Sequence, residues 1–363
     1  MLPLQQKRLL MRALVYEAPK VMTMREVPTP SPGPDEVLIR VAYSGICGSE
    51  LSGFLGQNSL RSPPLVFGHE MSGWVEALGA NVTDTTDLRI GDAVTANPLV
   101  SCGTCEYCIT GRQQLCGRRM LLGAHRPGCN ADLVAVPATA VLQLAATMSL
   151  RSAAMAEPAA CAVRAVEVSG AGPNSRALVL GAGPIGQFIL QVLAQYGVKE
   201  RYVADLNPTR LAMAAAAGAI PVSAGEDGLA AEVLRITEAR GVTVAFDAVG
   251  SAQTRRDCLT STAAGGQVVF VGLHSDETAL PINAIIRSEV ALVGVFAYSS
   301  ANFRTALDWL AAERIGLTDG VVVAPLSEGP AWYARLVAGD GAAKVLLQPE
   351  SAAELSTSRE GGS

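Results

Sequence analysis

The residues of this chain best suited to bind a metal are four cysteines within one fifteen-residue stretch: Cys102, Cys105, Cys108 and Cys116. The first three are spaced three residues apart, and seven residues separate the third from the fourth. Four thiolates can surround Zn²⁺ tetrahedrally and leave no open coordination position. The stretch therefore predicts a structural zinc site, and it indicates that other residues carry any chemistry.

Three other interpretations of the four-cysteine stretch are weaker. Paired disulfides suit small secreted proteins, whereas this chain has 363 residues and no signal-peptide pattern. An iron–sulfur cluster favours three residues before the last cysteine and a proline after it, but here the gap is seven and Gly117 follows. A zinc ribbon for nucleic acid would need a basic surface, and the net charge is −5.

A second metal site, with an open position, is suggested by a cysteine, a histidine and two carboxylates. The chain has only three histidines, and His69 stands directly before Glu70. Cys47 precedes this pair, and Glu157 follows it before a proline. A Cys, a His and one or two carboxylates can bind zinc and leave one position for water or substrate. The spacing alone does not join these residues into one site.

A dinucleotide site is predicted by the sequence Gly181-Ala182-Gly183-Pro184-Ile185-Gly186. The motif follows an apolar strand-like run and opens a helix, which is the context that gives G-x-G-x-x-G its meaning. Asp205 lies nineteen residues after Gly186, where a carboxylate accepts hydrogen bonds from the adenosine ribose hydroxyls and repels a 2′-phosphate. NAD is therefore favoured over NADP. Arg210 could instead hold that phosphate or stack on adenine.

The elements that must position these residues change character along the chain. From residue 12 to about 150, short β-like segments alternate with Gly and Pro, as in a compact β barrel. From about 160 to 295, apolar runs alternate with helical stretches, which predicts βαβ units and a parallel sheet. A last strand, 344–347, has no α/β partner nearby. We therefore expect it to return to the first domain, so that the α/β unit is an insertion.

Composition limits the function classes. The chain is 49% apolar and 17% charged, and it contains no apolar run long enough to cross a membrane. Its mild acidity argues against nucleic acid and anionic lipid as partners. Cysteines grouped for metal predict a cytoplasmic location. We expect residues 1–11 to be an N-terminal extension and 350–363 to be a disordered tail.

Taken together, these motifs resemble the zinc-dependent medium-chain dehydrogenases, over about residues 12–349. The pieces occur in the family's order: G-I-C-G-S, G-H-E-M-S-G, the four-cysteine stretch, Glu157-Pro158, and G-A-G-P-I-G followed by Asp205. Within the family the chain is most similar to the polyol branch, which includes sorbitol, butanediol, threonine and galactitol-phosphate dehydrogenases. The resemblance implies a GroES-like β-barrel catalytic domain, α/β plus β overall, with an inserted Rossmann NAD-binding domain.

The resemblance also implies domain boundaries and metal ligands. The catalytic domain would span 12–160, with the zinc lobe at about 97–120, the Rossmann domain 161–296, and the return to the catalytic domain 297–349. Cys47 and His69 would bind a catalytic zinc, with Glu70 and Glu157 as direct or water-mediated ligands. Each chain would thus hold two zinc ions, one catalytic and one structural.

Further cofactor contacts follow from the resemblance. Besides the glycine motif and Arg210, these are residues at the end of the predicted strand 268–271 and in the apolar, strand-like segment 290–296. They are Val271, Gly272, Leu273, Val295 and Phe296.

The implied reaction is hydride transfer between a secondary alcohol and NAD through a zinc-bound alkoxide. The alcohol would be a polyol, diol, amino alcohol or sugar derivative. Ser49 matches the family's hydroxyl that takes the substrate proton. Many relatives carry a histidine five residues after the zinc cysteine to pass that proton on, but here the position is Ser52. The relay would then run through Ser49, the cofactor ribose and water.

The remaining histidines and cysteines have simpler expected roles. His125 and His274 are more readily loop residues than contacts to substrate or cofactor. Cys129, Cys161 and Cys258 are expected to be buried thiols.

Two alternatives to alcohol oxidation stay open at this point. One is a biosynthetic ketone reductase or a cyclitol or aminocyclitol dehydrogenase of the same family. The other is a non-catalytic NAD-binding redox sensor, which the presence of Cys47, Ser49, His69, Glu70 and Glu157 argues against. The apolar segment 290–296 resembles the family's dimer strand, and an unpaired apolar edge favours aggregation. We therefore expect a homodimer or a homotetramer.

Overall fold

The strands of the protein form four sheets in the computed structural model, which describes residues 10–317 and 319–352. Within these ranges the strands are β1 Leu10–Ala18, β2 Val21–Pro28, β3 Glu36–Gly45, β4 Leu65–Val66, β5 Glu70–Leu78, β6 Ala93–Ala96, β7 Leu99–Val100, β8 Met120–Leu121, β9 Leu133–Pro137, β10 Val141–Gln143, β11 Arg176–Leu180, β12 Glu200–Ala204, β13 Ile220–Pro221, β14 Val242–Asp247, β15 Thr262–Phe270, β16 Ala291–Gly294, β17 Val321–Pro325 and β18 Lys344–Gln348.

The helices are concentrated in the middle of the chain. In the same described ranges they are α1 Gly48–Phe54, α2 Val82–Thr85, α3 Glu106–Ile109, α4 Leu150–Ala153, α5 Ala156–Ser169, α6 Pro184–Gln195, α7 Pro208–Ala216, α8 Leu229–Ile236, α9 Ala252–Ser261, α10 Ile282–Ser288, α11 Ser300–Ala311 and α12 Gly329–Val337. Short 3₁₀ turns occupy Gln113–Leu115, Ala138–Ala140 and Leu326–Glu328. No helix among the described residues has the length and apolar character needed to cross a bilayer.

The chain divides into two units, and the first is built from both ends of the described chain. It comprises the residues up to Glu157 and those from Val321 onward. Its main sheet has the order β10-β6-β5-β3-β18-β17, with β9 also paired to β3. Strand β18 runs antiparallel to β3, with Leu347 opposite Ser44. The sequence prediction that the last strand lies in the barrel sheet agrees with this pairing.

The second unit, Pro158–Gly320, contains one parallel sheet of six strands. Its order is β13-β12-β11-β14-β15-β16, and every adjacent pair is parallel. The interior residues of β11 and β14 are almost completely buried, as continuous apolar strands of a parallel sheet require. The fold class expected from the sequence, a GroES-like β domain with an inserted Rossmann domain, is confirmed.

The unit boundaries differ from those expected from the sequence. The second unit extends to Gly320 rather than ending at 296. The reason is that α11 and the loop after it pack within the second unit: Asn302 donates a hydrogen bond to Glu167 (2.8 Å), and Gln191 donates to the carbonyl of Gly316 (2.9 Å). The helical spacing of apolar residues does not by itself show which of the two units a helix belongs to.

The two ends of the described chain also correct the sequence prediction. Strand β1 already begins at Leu10, inside the expected extension 1–11, of which residues 1–9 lie outside the described residues. Residues 350–352 were expected to be disordered, yet Ser351 Oγ donates to Asp132 (2.9 Å) and Ala352 is fully buried. The polar composition of this segment predicts disorder. The contact that orders Ser351 is made to Asp132, which is far away in the sequence and therefore leaves no local signal. Residues 353–363 of the expected tail lie outside the described residues.

Candidate active site

Cys47 stands at the junction between a strand and a helix. Strand β3 ends at Gly45, and Cys47 is the N-cap of α1. Glu50, at the third helical position, accepts a weak hydrogen bond from the Cys47 amide (3.4 Å). This reciprocal cap holds the cysteine in extended conformation at the start of the helix. The backbone of Cys47 is thereby held between the end of β3 and the start of α1.

His69 and Glu70 come from the start of the neighbouring strand. Glu70 is the first residue of β5 and pairs with Gly45 of β3, so that His69 lies beside Cys47. One ligand atom from each of Cys47, His69 and Glu70 lies within 4.8 Å of the others. These three residues are separated in sequence, and the β3–β5 pairing brings them together.

A buried carboxylate, Glu50, orients His69. His69 Nδ1 lies 2.8 Å from Glu50 Oε1, which also accepts the amide hydrogen of Gly68 (2.9 Å). Tyr333 Oη donates to the other oxygen, Oε2 (2.7 Å). Burial by itself would raise the pKa of Glu50, but the charge of His69, its hydrogen bond and the charge of Arg61 lower it to about 2. The ionised carboxylate holds one ring nitrogen and leaves the other free to bind a metal.

A chain of hydrogen bonds continues from Glu50 through Tyr333 and Asn130 to Ser44. Asn130 Nδ2 donates to Tyr333 Oη (3.0 Å), and Ser44 Oγ donates to Asn130 Oδ1 (2.5 Å). These three side chains are all buried. Since Tyr333 belongs to α12 and Ser44 to β3, the returning segment of the chain helps to fix the histidine.

Glu70 forms a buried ion pair with Lys344, the first residue of β18. Lys344 Nζ contacts Glu70 Oε2 and donates to the carbonyl of Ile46 (2.9 Å). Burial would lower the pKa of Lys344, but the charges of Glu70 and Cys47 raise it. Gly45 makes room for this pair, because a Cβ there would collide with Glu70 Oε2 and come within 2.9 Å of Lys344 Cε.

The other oxygen of Glu70, Oε1, is buried and accepts no hydrogen bond from the described residues. An unsatisfied carboxylate oxygen beside a thiol and an imidazole matches the donor set of a zinc site with an open position. The residues present therefore fit a metal. Glu157 is half-buried and is not part of the three-residue group, although its charge also contributes to the raised pKa of Lys344.

Ser49 lies in the first turn of α1, next to the presumed metal position. Its Oγ donates to Cys47 Sγ (3.4 Å) and accepts from the Arg61 guanidinium (3.2 Å). Ser52 Oγ donates to the backbone carbonyl of Ser49 (2.9 Å). Ser52, which stands where many relatives carry the relay histidine, is thus hydrogen-bonded to the backbone of its own helix.

The four-cysteine stretch closes into one cluster. One sulfur from each of Cys102, Cys105, Cys108 and Cys116 lies within 4.8 Å of the others. The sulfurs of Cys102 and Cys108 are 3.8 Å apart, close to the edge of a tetrahedron with metal–sulfur bonds of about 2.3 Å. Backbone N–H groups of Thr104 and Cys105 lower the pKa of Cys102 to about 5, which favours the thiolate. The donor set therefore fits zinc.

The glycine motif follows β11 and opens α6, as the sequence predicts. Gly183 is the N-cap and Pro184 the first helical residue. A Cβ on Gly186 would collide with the carbonyl oxygen of Gly181, so that only glycine allows the helix to approach the strand this closely. The free amides of this helix N-terminus are suited to bind a phosphate group.

Asp205 follows β12 and shapes the same turn. Its Oδ2 accepts from the amide of Ala182 (2.6 Å), and its Oδ1 accepts from the amide of Asn207 (2.8 Å). Arg210 lies in α7, with its Nε buried and without a hydrogen bond to any described residue. Both residues are therefore near the motif, on the adjacent strand and helix.

The other expected cofactor residues follow the carboxyl ends of strands in the same parallel sheet. Val271 and Gly272 follow β15 and donate to the carbonyl of Asp247 (3.0 and 2.9 Å). Val295 follows β16, and its amide donates to Phe270 (3.0 Å). The carboxyl ends of parallel strands are where ligands bind in such sheets. Exposed Leu273 and Phe296 complete this set.

The remaining histidines are exposed loop residues, and one cysteine departs from expectation. His125 Nδ1 accepts from the amide of Leu121 (3.0 Å), which closes its turn. His274 is also exposed. Cys129 and Cys258 are buried as expected, but Cys161 is only half-buried on α5.

Several residues of the site were not singled out from the sequence. Glu50 directly follows the G-I-C-G-S motif, and its place three residues after Cys47 is the signal of a capping box. The sequence around the other residues gives no sign of their role, because their hydrogen-bond partners lie at least 12 positions away along the chain. These residues are Lys344, Tyr333, Asn130 and Arg61.

Comparisons with known proteins decide the family. The model described as an alcohol dehydrogenase GroES-like domain matches residues 33–146, and the model for zinc-binding dehydrogenases matches 184–312. L-Idonate 5-dehydrogenase of Vitis vinifera is 33% identical over 305 residues, which cover 82% of each chain. The chain belongs to the zinc-dependent medium-chain alcohol dehydrogenases. The resemblance inferred from the motifs is confirmed.

Two solved structures of such dehydrogenases are similar over nearly the whole chain. A zinc-binding dehydrogenase from Sinorhizobium meliloti bound to NADP is 28% identical, with a TM-score of 0.82, and the match covers 94% of this chain and all of that one. The alcohol dehydrogenase RspB of Escherichia coli, complexed with NADH, is 27% identical, with a TM-score of 0.85, covering 93% and 99%. The protein is a zinc- and NAD(P)-dependent oxidoreductase acting on a small-molecule alcohol.

Proposed function

We propose that the protein oxidises a secondary alcohol of a polyol or a sugar derivative with NAD, using a metal held by Cys47, His69 and Glu70. The observation that carries this proposal is the three-residue donor group, with His69 oriented by the ionised Glu50. The Vitis relative acts on L-idonate, which supports a polyhydroxylated substrate.

Each group has a distinct task in this proposal. Cys47 and His69 would hold zinc, Glu70 would bind it directly or through water, and Glu157 would be an exchangeable further ligand. Zinc at this position supplies a Lewis acid that lowers the pKa of a hydroxyl group, and nicotinamide accepts the hydride. Ser49 Oγ would accept the proton of the substrate hydroxyl and pass its own proton on through the cofactor ribose and water. The Cys102–Cys116 cluster would hold a second, structural zinc.

The choice of NAD rests on Asp205. A carboxylate after the second strand accepts hydrogen bonds from the ribose hydroxyls and repels a 2′-phosphate. The cofactor contacts would otherwise come from the glycine motif, Arg210 and the loops after β15 and β16.

The decisive experiment replaces Cys47 by alanine. A spectrophotometric screen of NAD reduction over polyols, diols, threonine and cyclitols first identifies a substrate. Cys47→Ala should then abolish turnover and reduce the zinc content from two ions per chain to about one. NAD binding should persist, because the motif lies in the other unit. Cys105→Ser is the matched control: it should lose the structural zinc and lower the melting temperature. Unchanged turnover in Cys47→Ala would contradict the proposal.

Cofactor preference is tested at Asp205. Asp205→Ser removes the repelling charge, and we expect the ratio of kcat/KM for NAD to that for NADP to fall at least about tenfold. The test compares both cofactors with the substrate identified above. An unchanged ratio would show that Arg210 or another group sets the preference.

For the assembly, we propose a homodimer in the cytoplasm, or a tetramer built from two dimers. Strand β16 lies at one edge of the six-stranded sheet, and Ile282 and Ile286 of the adjacent α10 are 59% and 66% exposed. Pairing of two β16 strands would satisfy the open edge. The free thiols of the metal clusters support a reducing compartment.

A further inference from the structure

Arg61 is a buried cation next to the candidate catalytic serine. It lies between α1 and β4 and is only 4% exposed. Its guanidinium carbon lies 5.5 Å from the centre of the Phe67 ring, and its Cδ approaches Gly53 of α1. It forms no salt bridge with any described residue, and its Nε is buried without a hydrogen bond to them. Its charge acts on the ionised Glu50, whose pKa it lowers, but a buried guanidinium also needs acceptors for its N–H groups.

Both hydrogen bonds that the Arg61 guanidinium makes to described residues go to Ser49. One terminal nitrogen donates to the Ser49 carbonyl (3.1 Å), and the other donates to Ser49 Oγ (3.2 Å). The guanidinium has only donors and stays protonated, so that Ser49 Oγ must be the acceptor. The serine proton then points away from Arg61, toward Cys47 Sγ at 3.4 Å. The two donors fix both the position of the serine and the direction of its hydroxyl.

We propose that Arg61 is a positioning residue that holds the Ser49 hydroxyl with its second lone pair free to accept the proton of the substrate alcohol, while Ser49 releases its own hydroxyl proton to the cofactor ribose or to water in the same step and stays neutral. This inference rests on the role of Ser49 in the proposed function. Arg61 cannot accept a proton, and Ser52 is hydrogen-bonded to the Ser49 carbonyl. As the substrate proton arrives, the proton that Ser49 gives up therefore passes to the cofactor ribose or to water on the side away from both residues. Arg61 orients the serine, and it does not replace the relay histidine of many relatives, which passes the proton on.

The test is a double-mutant cycle between Arg61 and Ser49 on the zinc-loaded protein. Arg61→Met keeps the apolar stem and removes both donors, and we expect kcat to fall about 10- to 100-fold with little change in KM. Arg61→Lys, with one charged donor, should restore part of the loss. In the Ser49→Ala background, Arg61→Met should change kcat by less than about twofold. Zinc content and NADH binding should stay at wild-type values, and Arg25→Met, an exposed arginine, serves as the control.

The possible outcomes separate the inference from the proposed function. An equal loss from Arg61→Met in both backgrounds, or lost zinc, would overturn the positioning role. A Ser49→Ala variant with wild-type kcat would instead overturn the role of Ser49 itself.

A second variant covers the case in which Arg61→Met does not fold. In Gly53→Ala the new Cβ would lie 2.6 Å from Arg61 Cδ, so that the arginine must shift while its charge is kept. We expect the same Ser49-dependent loss of kcat. Gly172→Ala, whose Cβ would meet no atom within 4 Å, is the matched control. Wild-type kcat in Gly53→Ala, with a melting temperature like that of the control, would contradict the inference.

Discussion

The buried pair of Glu70 and Lys344 is the most consequential contact between single residues in the first unit. Both side chains are nearly inaccessible, at 1% and 2% exposure. Taking two charges out of water is unfavourable, and their mutual attraction and the hydrogen bond from Lys344 to the Ile46 carbonyl help to offset this cost. The lysine also limits how Glu70 can turn, because it occupies one of the two carboxylate oxygens. The carboxylate therefore offers its other oxygen to the presumed metal position.

Replacing Lys344 by methionine should destabilise the protein strongly. The charge of Glu70 would remain buried without its partner, which costs about 3–5 kcal/mol in the free energy of unfolding. Urea denaturation of the zinc-loaded protein measures this change.

Two further variants make this measurement specific. The double variant Lys344→Met/Glu70→Gln should recover most of the loss, because no unpaired charge is left. Arg25→Met removes a pair whose arginine is 59% exposed and should change stability by less than about 1 kcal/mol. A single variant as stable as this control would show that the pair is not significant.

At the scale of elements, the site is a junction of α1, the start of β5 and α12. Helix α1 supplies Glu50, β5 begins beside His69, and α12 supplies Tyr333. The rings of Phe54, Phe67 and Tyr333 pack against one another beneath this junction, with centroids 5.6 and 6.1 Å apart. The apolar packing thus holds Tyr333 in place, and Tyr333 in turn donates to the carboxylate that orients His69.

Tyr333→Phe should weaken metal binding without disrupting the core. It removes the donor to Glu50 Oε2 and the acceptor for Asn130, while the ring still packs. Loss of a group that supports a metal-binding histidine typically lowers affinity about 10- to 100-fold. Zinc release from the catalytic site to a chelator, followed by absorbance, measures this. Tyr196→Phe, in the other unit, is the control, and identical release from both variants would disprove the expectation.

The sequence predicts elements better than it predicts contacts. The motifs at Cys47, at His69-Glu70 and at Gly181–Gly186 could be located because each depends on neighbours within a few residues. Lys344 could not be assigned, since its partner Ile46 is 298 positions away along the chain. Helix α11 was placed in the wrong unit for the same reason. The spacing of apolar residues indicates whether a segment is a helix or a strand. Long-range packing decides against which part of the protein that helix or strand lies.

At the scale of the whole molecule, the two units have different sheets with different exposed edges. In the parallel sheet of the second unit, β13 forms one edge and β16 the other. Strand β16 is followed by Val295 and by Phe296, which is 40% exposed. An open edge with apolar neighbours is a surface that a second copy can cover.

A lysine in β16 should therefore prevent dimerisation. Ala291 is exposed at the start of β16, and Ala291→Lys places a charge on the edge that would pair. Light scattering should then report a single chain of 37.6 kDa, whereas the proposed assembly predicts twice or four times that mass for the unmodified protein. Ile220→Lys, in the opposite edge strand β13, is the control and should leave the assembly intact. Dimers in both variants would rule out pairing through β16.

The ion pair between Glu70 and Lys344 has a consequence for the order of events during synthesis. The ribosome releases Glu70 long before Lys344, and the whole of the second unit emerges in between. The second unit is continuous in sequence and can fold as it appears, while the first must wait for β18. Until that strand arrives, the Glu70 carboxylate lacks the Lys344 ammonium with which it pairs. We therefore expect a nascent chain to be able to bind NAD(P) before the proposed metal ligands Cys47, His69 and Glu70 are fully positioned.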